Sequence, residues 1–360
     1  MGLGTLLIRA DASSEIGTGH VMRCLAIAQA WRDRGGGAVF LMAQSTPAIC
    51  ERLSREGCKI LPGHAITGGA DDARTTLDAA RQCGCEWLVL DGYGFDSEYE
   101  SGVWGHGFGV LYIDDLGDRK HSADIILNPN LTAASAQDAG QHHETHQLLG
   151  TEFSLLRREF RSWSDWNREI VPTANRILVT LGGGTPEELA LCILEALEQV
   201  KSQVESVMFV LGASSEQPES LKKGGAKLEG KASFVRAASD MATLMAEADV
   251  AIAAAGSTCW EMCFMGLPAL IVDVARNQTA EAMELHRQGY AKYLGSGSEL
   301  RPQKLAAELT ELLGSQEVRR EISQRCRKLV DGRGAERVVA AMLQTRAQSI
   351  ASVVHEGARA

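Results

Sequence analysis

The segment Gly17-Thr18-Gly19-His20 combines the residue types of a phosphate-facing loop with a titratable ring. A short apolar run, Thr5 to Ile8, precedes it and reads as a strand. An amphipathic pattern follows from His20 to about Arg34 and reads as a helix. Gly17 and Gly19 let backbone N–H groups approach a ligand closely. His20 then lies at the positive end of the helix dipole, which disfavours the imidazolium. A neutral imidazole beside such a loop suits a general base. Asp11, in the same strand-to-helix connection, stands in support. The plainer alternative is a histidine that only caps its own helix.

Other loops repeat this layout. Gly182-Gly183-Gly184-Thr185-Pro186 follows a strand pattern and opens a helical one, so its amides can face a phosphate. It is neither a dinucleotide fingerprint nor a Walker loop, and a plain tight turn is the alternative. Ala255-Gly256-Ser257-Thr258 has the same form, with Glu261 three residues on. Ser257 and Thr258 would meet a diphosphate, and the Glu261 carboxylate would accept two hydroxyls of a ribose diol. Thr258 and Glu261 also have capping-box spacing. Asn277 and Gln278 follow a later strand, where Asn277 could bind ligand or cap a helix. Asp91-Gly92-Tyr93 and Asp114-Asp115 end two strands near His20, so their carboxylates invite either acid–base chemistry or turn formation. His142, His143 and His146 lack the His-Glu-x-x-His order and read as a polar loop rather than a metal site.

These loops need strands to carry them. Strand patterns cover Thr5–Ile8, Ala38–Met42, Trp87–Asp91, Val110–Asp114 and Asp124–Leu127, with a helical pattern at Ala70–Gln82. A polar stretch around Ala134–His146 reads as loop or short helix. A second series runs through Arg176–Leu181, Ser206–Leu211, Asp249–Ala254 and Ala269–Asp273. Helical patterns close the chain at Pro302–Leu313, Glu317–Val330 and Ala335–Ala347, and the final dozen residues read as frayed. Strands alternating with helices predict an α/β fold of two parallel-sheet domains. The expected division is 1–165, 172–334 and a helical segment 335–360 that packs back on the first domain, with a linker at Phe160–Pro172.

Composition narrows the function classes. Lys+Arg 36 against Asp+Glu 46 gives −10, which argues against nucleic acid or an anionic membrane as partner. Nine scattered cysteines without a Cys-x-x-Cys pair read as reduced thiols, and Cys83-Gly84-Cys85 is too tight for a zinc knuckle. No run approaches a membrane span and no signal peptide is indicated, so a cytoplasmic protein is expected, with a monomer favoured.

Taken together, Arg9-x-Asp11, Gly17-x-Gly19-His20-x-x-Arg23-Cys24-Leu25, Asp91-x-Tyr93, Ile113-Asp114-Asp115, Asn128-Pro129-Asn130, Gly150 with Leu155-Leu156-Arg157-x-Glu159-Phe160, Gly182-Gly183, Asn277-Gln278 and Asp331-Gly332-x-Gly334-Ala335-x-Arg337-Val338 resemble one family. It comprises the UDP-2,4-diacetamido-2,4,6-trideoxy-β-L-altropyranose hydrolases of pseudaminic acid biosynthesis and the related spore-coat polysaccharide proteins. The resemblance covers nearly the whole chain. It implies the GT-B architecture, two Rossmann-like domains facing a cleft, with the nucleotide mainly on the second. It implies a catalytic set of His20, Tyr93 and Asn277. Gly17, Gly19, Gly183, Gly184, Ser257, Thr258, Glu261 and Gln278 would bind the UDP-sugar, with Asp11 and Asp115 in support. The implied activity is an inverting hydrolysis at the anomeric carbon, with no metal and no cofactor. A glycosyltransferase on the same scaffold and a non-catalytic nucleotide-sugar binder are the alternatives.

Overall fold

Strand β1, Thr5–Ala10, lies in the interior of a parallel sheet, and its apolar residues face cores on both sides. The computed structural model describes residues 3–13, 15–63, 66–117, 119–135, 145–183, 186–212, 218–236, 238 and 240–357. The first sheet adds β2 (Gly37–Met42), β3 (Lys59–Pro62), β4 (Cys85–Asp91), β5 (Gly109–Ile113), β6 (Ile125–Asn128) and β7 (His146–Leu149). Its order is β3-β2-β1-β4-β5-β6-β7, and all neighbours run parallel. The chain thus builds outward one way from β1 and then returns to extend the other edge. That reversal leaves a crevice outside the carboxyl ends of β1 and β4, where ligands bind in such sheets.

The second sheet repeats the scheme. It holds β8 (Arg176–Thr180), β9 (Ser206–Leu211), β10 (Ala232–Arg236), β11 (Val250–Ala254), β12 (Ala269–Asp273) and β13 (Lys292–Ser296). Its order, β10-β9-β8-β11-β12-β13, is parallel throughout and reverses between β8 and β11.

Two apolar layers sandwich the first sheet. One packs Leu6, Ile8 and Val89 under the helix Gly19–Arg32 and under Ala335, Val338 and Met342 of the helix Gly334–Gly357. The other packs Leu7, Leu88 and Leu90 under the helices Ala70–Gln82 and Ser97–Val103, through residues such as Ala80 and Tyr99. Each fully buried aliphatic side chain contributes roughly 1.5–3 kcal/mol.

The chain forms two compact units. The first joins Met1–Ala12, His20–Arg157 and Arg333–Ala360, and the second joins Ser13–Gly19 to Arg158–Gly332. The division therefore falls at Arg157, before the expected linker. Phe160 lies edge-on to Phe264 at 6.2 Å, and Arg168 donates to the carbonyls of Met245, Ala248 and Met265, which ties this stretch to the second unit.

Four strands escaped the sequence patterns: β3, β7, β10 and β13. The last helix also continues to Gly357, past the expected end at Ala347 and through residues read as frayed. His146 opens β7, whereas His142 and His143 fall outside the described residues. Among the described residues no helix is long and apolar enough to cross a membrane.

Candidate active site

In the first unit, the switch point between β1 and β4 brings together His20, Asp91, Tyr93 and Asp115 of the residues singled out in the sequence. His20 is the second residue of the helix Gly19–Arg32, in its first turn. Arg23 lies three residues on, hence on the same helical face. Its guanidinium donates from Nε to Asp91 Oδ2 at 2.7 Å and from Nη2 to Asp91 Oδ1 at 2.6 Å. Its Nη1 donates to Asp115 Oδ2 at 2.8 Å. One planar fork thus ties the ends of β4 and β5 to the helix that carries His20. Cys24 adds an S–H to Asp91 Oδ2 at 3.3 Å.

Tyr93 completes the cluster. Its hydroxyl donates to Asp115 Oδ2 at 3.0 Å, and its ring meets the His20 imidazole edge-on at 4.9 Å between centroids. Asn130 donates to the Asp115 backbone carbonyl at 3.1 Å, fixing the residue that holds both Arg23 and Tyr93. Asp91 and Asp115 are therefore positioning groups of an ion-pair network rather than free acids or bases.

Electrostatics assign the protonation states. Burial pushes the His20 pKa down, and the nearby Arg23 charge acts in the same direction, against Asp91 and Asp115. A neutral imidazole is therefore the resting form at neutral pH. Burial works against ionising Asp115, but Arg23 outweighs it and holds the carboxyl below its usual range. The Tyr93 hydroxyl is pushed up, first by burial and then by Asp115, so it remains a proton donor.

Asp11 stands apart from this cluster. Its carboxylate accepts from Ala43 N, Gln44 N and Thr67 Oγ1 at 2.7, 3.0 and 2.6 Å, and it pairs with Arg9 at 2.8 Å. Arg9 in turn grips Asp72 through two nitrogens at 2.9 Å. This buried network braces the loops after β1 and β2, which is a structural role.

A second brace lies behind Asp115. His121 is buried between Glu100, whose Oε1 is 3.0 Å from Nδ1, and Asp114, whose Oδ2 is 3.1 Å from Nε2. Its ring stacks on Tyr112 at 4.2 Å, and Arg119 pairs with the same Glu100. Asp114 also accepts the amides of Leu116 and Gly117, shaping the turn just after Asp115. Burial disfavours the imidazolium of His121, but Asp114 and Glu100 outweigh it and raise the pKa. The stability this pair supplies is fully present below the unfolded value of about 6.5. It is lost as pH rises through the higher folded value. The urea midpoint of the wild type, relative to His121→Gln, should therefore shrink steadily above about pH 6.5. A difference that stays constant or grows with pH would assign His121 a neutral role.

In the second unit, the loops at the β8–β11 switch point come together. A Cβ on Gly183 would lie 2.3 Å from Thr18 N, and one on Gly212 would lie 2.1 Å from Gly183 O. Only hydrogen fits at these positions. Ser257 Oγ is 4.0 Å from the place of a Cβ on Gly19, so Gly17, Gly19, Gly183 and Ser257 share one patch of this unit. Gly184 and Thr185 fall outside the described residues, and Pro186 precedes the helix Glu187–Gln199 instead of starting it.

The helix starts differ from those the capping readings need. Thr258 is the first residue of the helix Thr258–Met265, and Ser257 before it makes no side-chain cap bond. Glu261 is buried in the first turn of that helix, where the dipole favours a carboxylate. Asn277 is the second residue of the helix Arg276–Arg287, whose cap position is Ala275. Gln278 Oε1 accepts from Val274 N at 3.0 Å, so this side chain shapes the turn after β12. Its Nε2 lies 3.6 Å from the place of a Cβ on Gly256.

Sequence reasoning gave Arg23 and Asn130 no role of their own, and it missed His121. Helical spacing from His20 is a usable signal for Arg23. His121 offers none, because Glu100 lies 21 residues away, and it and Asp114 meet the ring only through β5 and the helix Ser97–Val103.

Residues 176–333 match the glycosyltransferase family 28 C-terminal domain. Over 244 residues the chain is 30% identical to the spore coat polysaccharide biosynthesis protein SpsG of Bacillus subtilis, covering 67% of this chain and 70% of SpsG. It is 24% identical over 289 residues to the UDP-2,4-diacetamido-2,4,6-trideoxy-β-L-altropyranose hydrolase of Campylobacter jejuni, covering 79% of this chain and 97% of that protein. The crystal structure of Acinetobacter baumannii MurG matches with a TM-score of 0.64 at 19% identity, over 95% of this chain and 99% of that one. With two parallel-sheet α/β domains of the GT-B type, the chain belongs to the family that contains SpsG and the altropyranose hydrolase.

Proposed function

We propose that this protein hydrolyses UDP-2,4-diacetamido-2,4,6-trideoxy-β-L-altropyranose to UDP and the free sugar. The observation that carries this reading is His20 at the first switch point, held neutral by burial and set edge-on against Tyr93. The likeness to the Campylobacter jejuni hydrolase supports the substrate class. The second unit holds the diphosphate on its glycine and serine loops and the ribose on Glu261, with Asn277 near the sugar. His20 takes a proton from water as its oxygen attacks the anomeric carbon. The bond from that carbon to the β-phosphate oxygen breaks, and UDP leaves with the electron pair. Loop amides and helix N-termini stabilise the charge that develops on it. No cation is required. Attack from the face opposite UDP inverts the anomeric configuration.

The test is incubation with the UDP-sugar alone in ¹⁸O-water and EDTA. The expected result is turnover, with label at the anomeric oxygen of the sugar, read before ring opening exchanges it. Label in the UDP phosphate would mean attack at phosphorus. Turnover only on adding an acceptor would make the protein a transferase, and binding without product would make it a nucleotide-sugar binder.

Glu261→Ala should weaken UDP binding by about 1–3 kcal/mol in calorimetric titration, the cost of losing charged hydrogen bonds. Unchanged affinity with a lower melting temperature would give Glu261 a purely structural role.

A further inference from the structure

At the edge of the first sheet opposite His20, the chain brings two thiols together. Cys83 ends the helix Ala70–Gln82 and Cys85 begins β4. Residues two apart on a regular strand share a face, so Cys85 and Trp87 should point the same way. They do not. Thr5 pairs with Cys85 and Leu6 with Trp87, which leaves Glu86 as an extra residue in β4. This bulge turns Cys85 onto the layer that contains Leu7 and Leu88, while Trp87 faces the layer of Leu6 and Ile8. Cys83 packs against the same layer as Cys85.

Gly84 closes the approach. It adopts a left-handed φ of +61°, with open space where a side chain would be. That folded backbone draws the two Cα atoms in from the roughly 7 Å of an extended pair. It moves them toward the window of about 4.4–6.8 Å that a disulfide needs. Both cysteines are half-buried, so a small oxidant can reach them.

We propose that Cys83 and Cys85 are a redox modification site that closes to a Cys-Gly-Cys disulfide on exposure to a peroxide. The two thiols are unequal in the way such a pair requires. Each thiol meets a backbone carbonyl, Cys83 that of Ala80 at 3.6 Å and Cys85 that of Trp87 at 2.9 Å. The neighbouring Cys85 thiol, with the Lys59 charge, lowers the Cys83 pKa to about 7. The adjacent Cys83 and its own burial push Cys85 up. Cys83 is therefore the thiolate that attacks. Its sulfur takes one oxygen of hydrogen peroxide to give a sulfenic acid, and the other oxygen leaves as water with a proton. The Cys85 sulfur then attacks the sulfenic sulfur, forms the S–S bond and releases a second water. Two thiols lose two electrons in total, and the peroxide gains them. The ring closed by one intervening residue is small and reducible, so a dithiol returns the pair to thiols.

The test uses the full-length protein. Brief hydrogen peroxide treatment precedes alkylation under denaturing conditions and peptide mass analysis. The peptide carrying Cys83 and Cys85 is expected two hydrogens lighter and unalkylated, at least tenfold faster than Cys50 or Cys192 is oxidised. Dithiothreitol should restore both alkylation sites. Cys85→Ser should instead trap a sulfenic acid on Cys83 that dimedone labels, and Cys83→Ser should leave Cys85 reduced at the same dose. Oxidation of Cys50 and Cys192 at the rate of the pair would overturn the assignment, as would stable double alkylation of the Cys83–Cys85 peptide. The measurement reads thiols alone and is independent of the catalytic reading.

Discussion

His20→Ala is expected to lower kcat by about 10²–10⁴-fold, the usual contribution of a positioned general base. The geometry separates this effect from binding. His20 contacts Tyr93 and lies by the Arg23 network in the first unit, whereas the loops assigned to UDP belong to the second. The affinity for UDP in titration should therefore change little. The wild type should also lose activity as pH falls below the ordinary histidine value of about 6.5, because the base works only when neutral. Burial displaces that limb to lower pH. In His20→Ala the limb should vanish along with the rate. A variant with near-normal kcat, or one that keeps the acid limb, would remove His20 from the chemistry.

Arg23→Met should cost about 3–5 kcal/mol of stability, the penalty for leaving a buried carboxylate without its partner. The Asp91 side chain is fully buried and both of its oxygens accept from Arg23. Asp115, which accepts from the Tyr93 hydroxyl, loses the same partner. Urea unfolding should show the loss, and adding Asp91→Asn to the Arg23→Met variant should recover part of it. Arg23→Lys keeps the charge but not the fork, so it should be intermediate in stability. A destabilisation below about 1 kcal/mol would show that water reaches Asp91 and relieves it.

The parts of the fold legible in the sequence were the inner strands. Segments such as Leu6–Ile8 and Leu88–Leu90 are covered on both faces and so appear as unbroken apolar runs. The four strands without such a run are the four edges of the two sheets. Edge strands are half solvated and short, and β3 carries Lys59 while β13 carries Lys292. Their register comes from the neighbouring strand, which no local pattern reports. The site divides in the same way. Loops after inner strands announce themselves by glycines and a histidine. The partners that hold them, Asp91 for Arg23 and Glu100 for His121, are fixed only by tertiary folding. Arg9 is the reverse case, a charge inside a central strand that a local reading would exclude. Asp72 and Asp11 neutralise it there.

The first unit borrows Ala335, Val338, Val339 and Met342 from a helix that begins at Gly334, after the whole second unit has passed. During synthesis this has a cost in time. A ribosome adding about 5–20 residues per second needs roughly 10–40 seconds to go from Arg157 to Met342, about 185 residues. For that interval the nascent amino-terminal unit presents an uncovered apolar layer over Leu25, Ile27 and Val89. The Arg158–Gly332 stretch has no such wait, since its own strands suffice to complete its sheet. The unit translated first is thus the last to finish, and during that delay it is the part of the chain that chaperones have reason to hold.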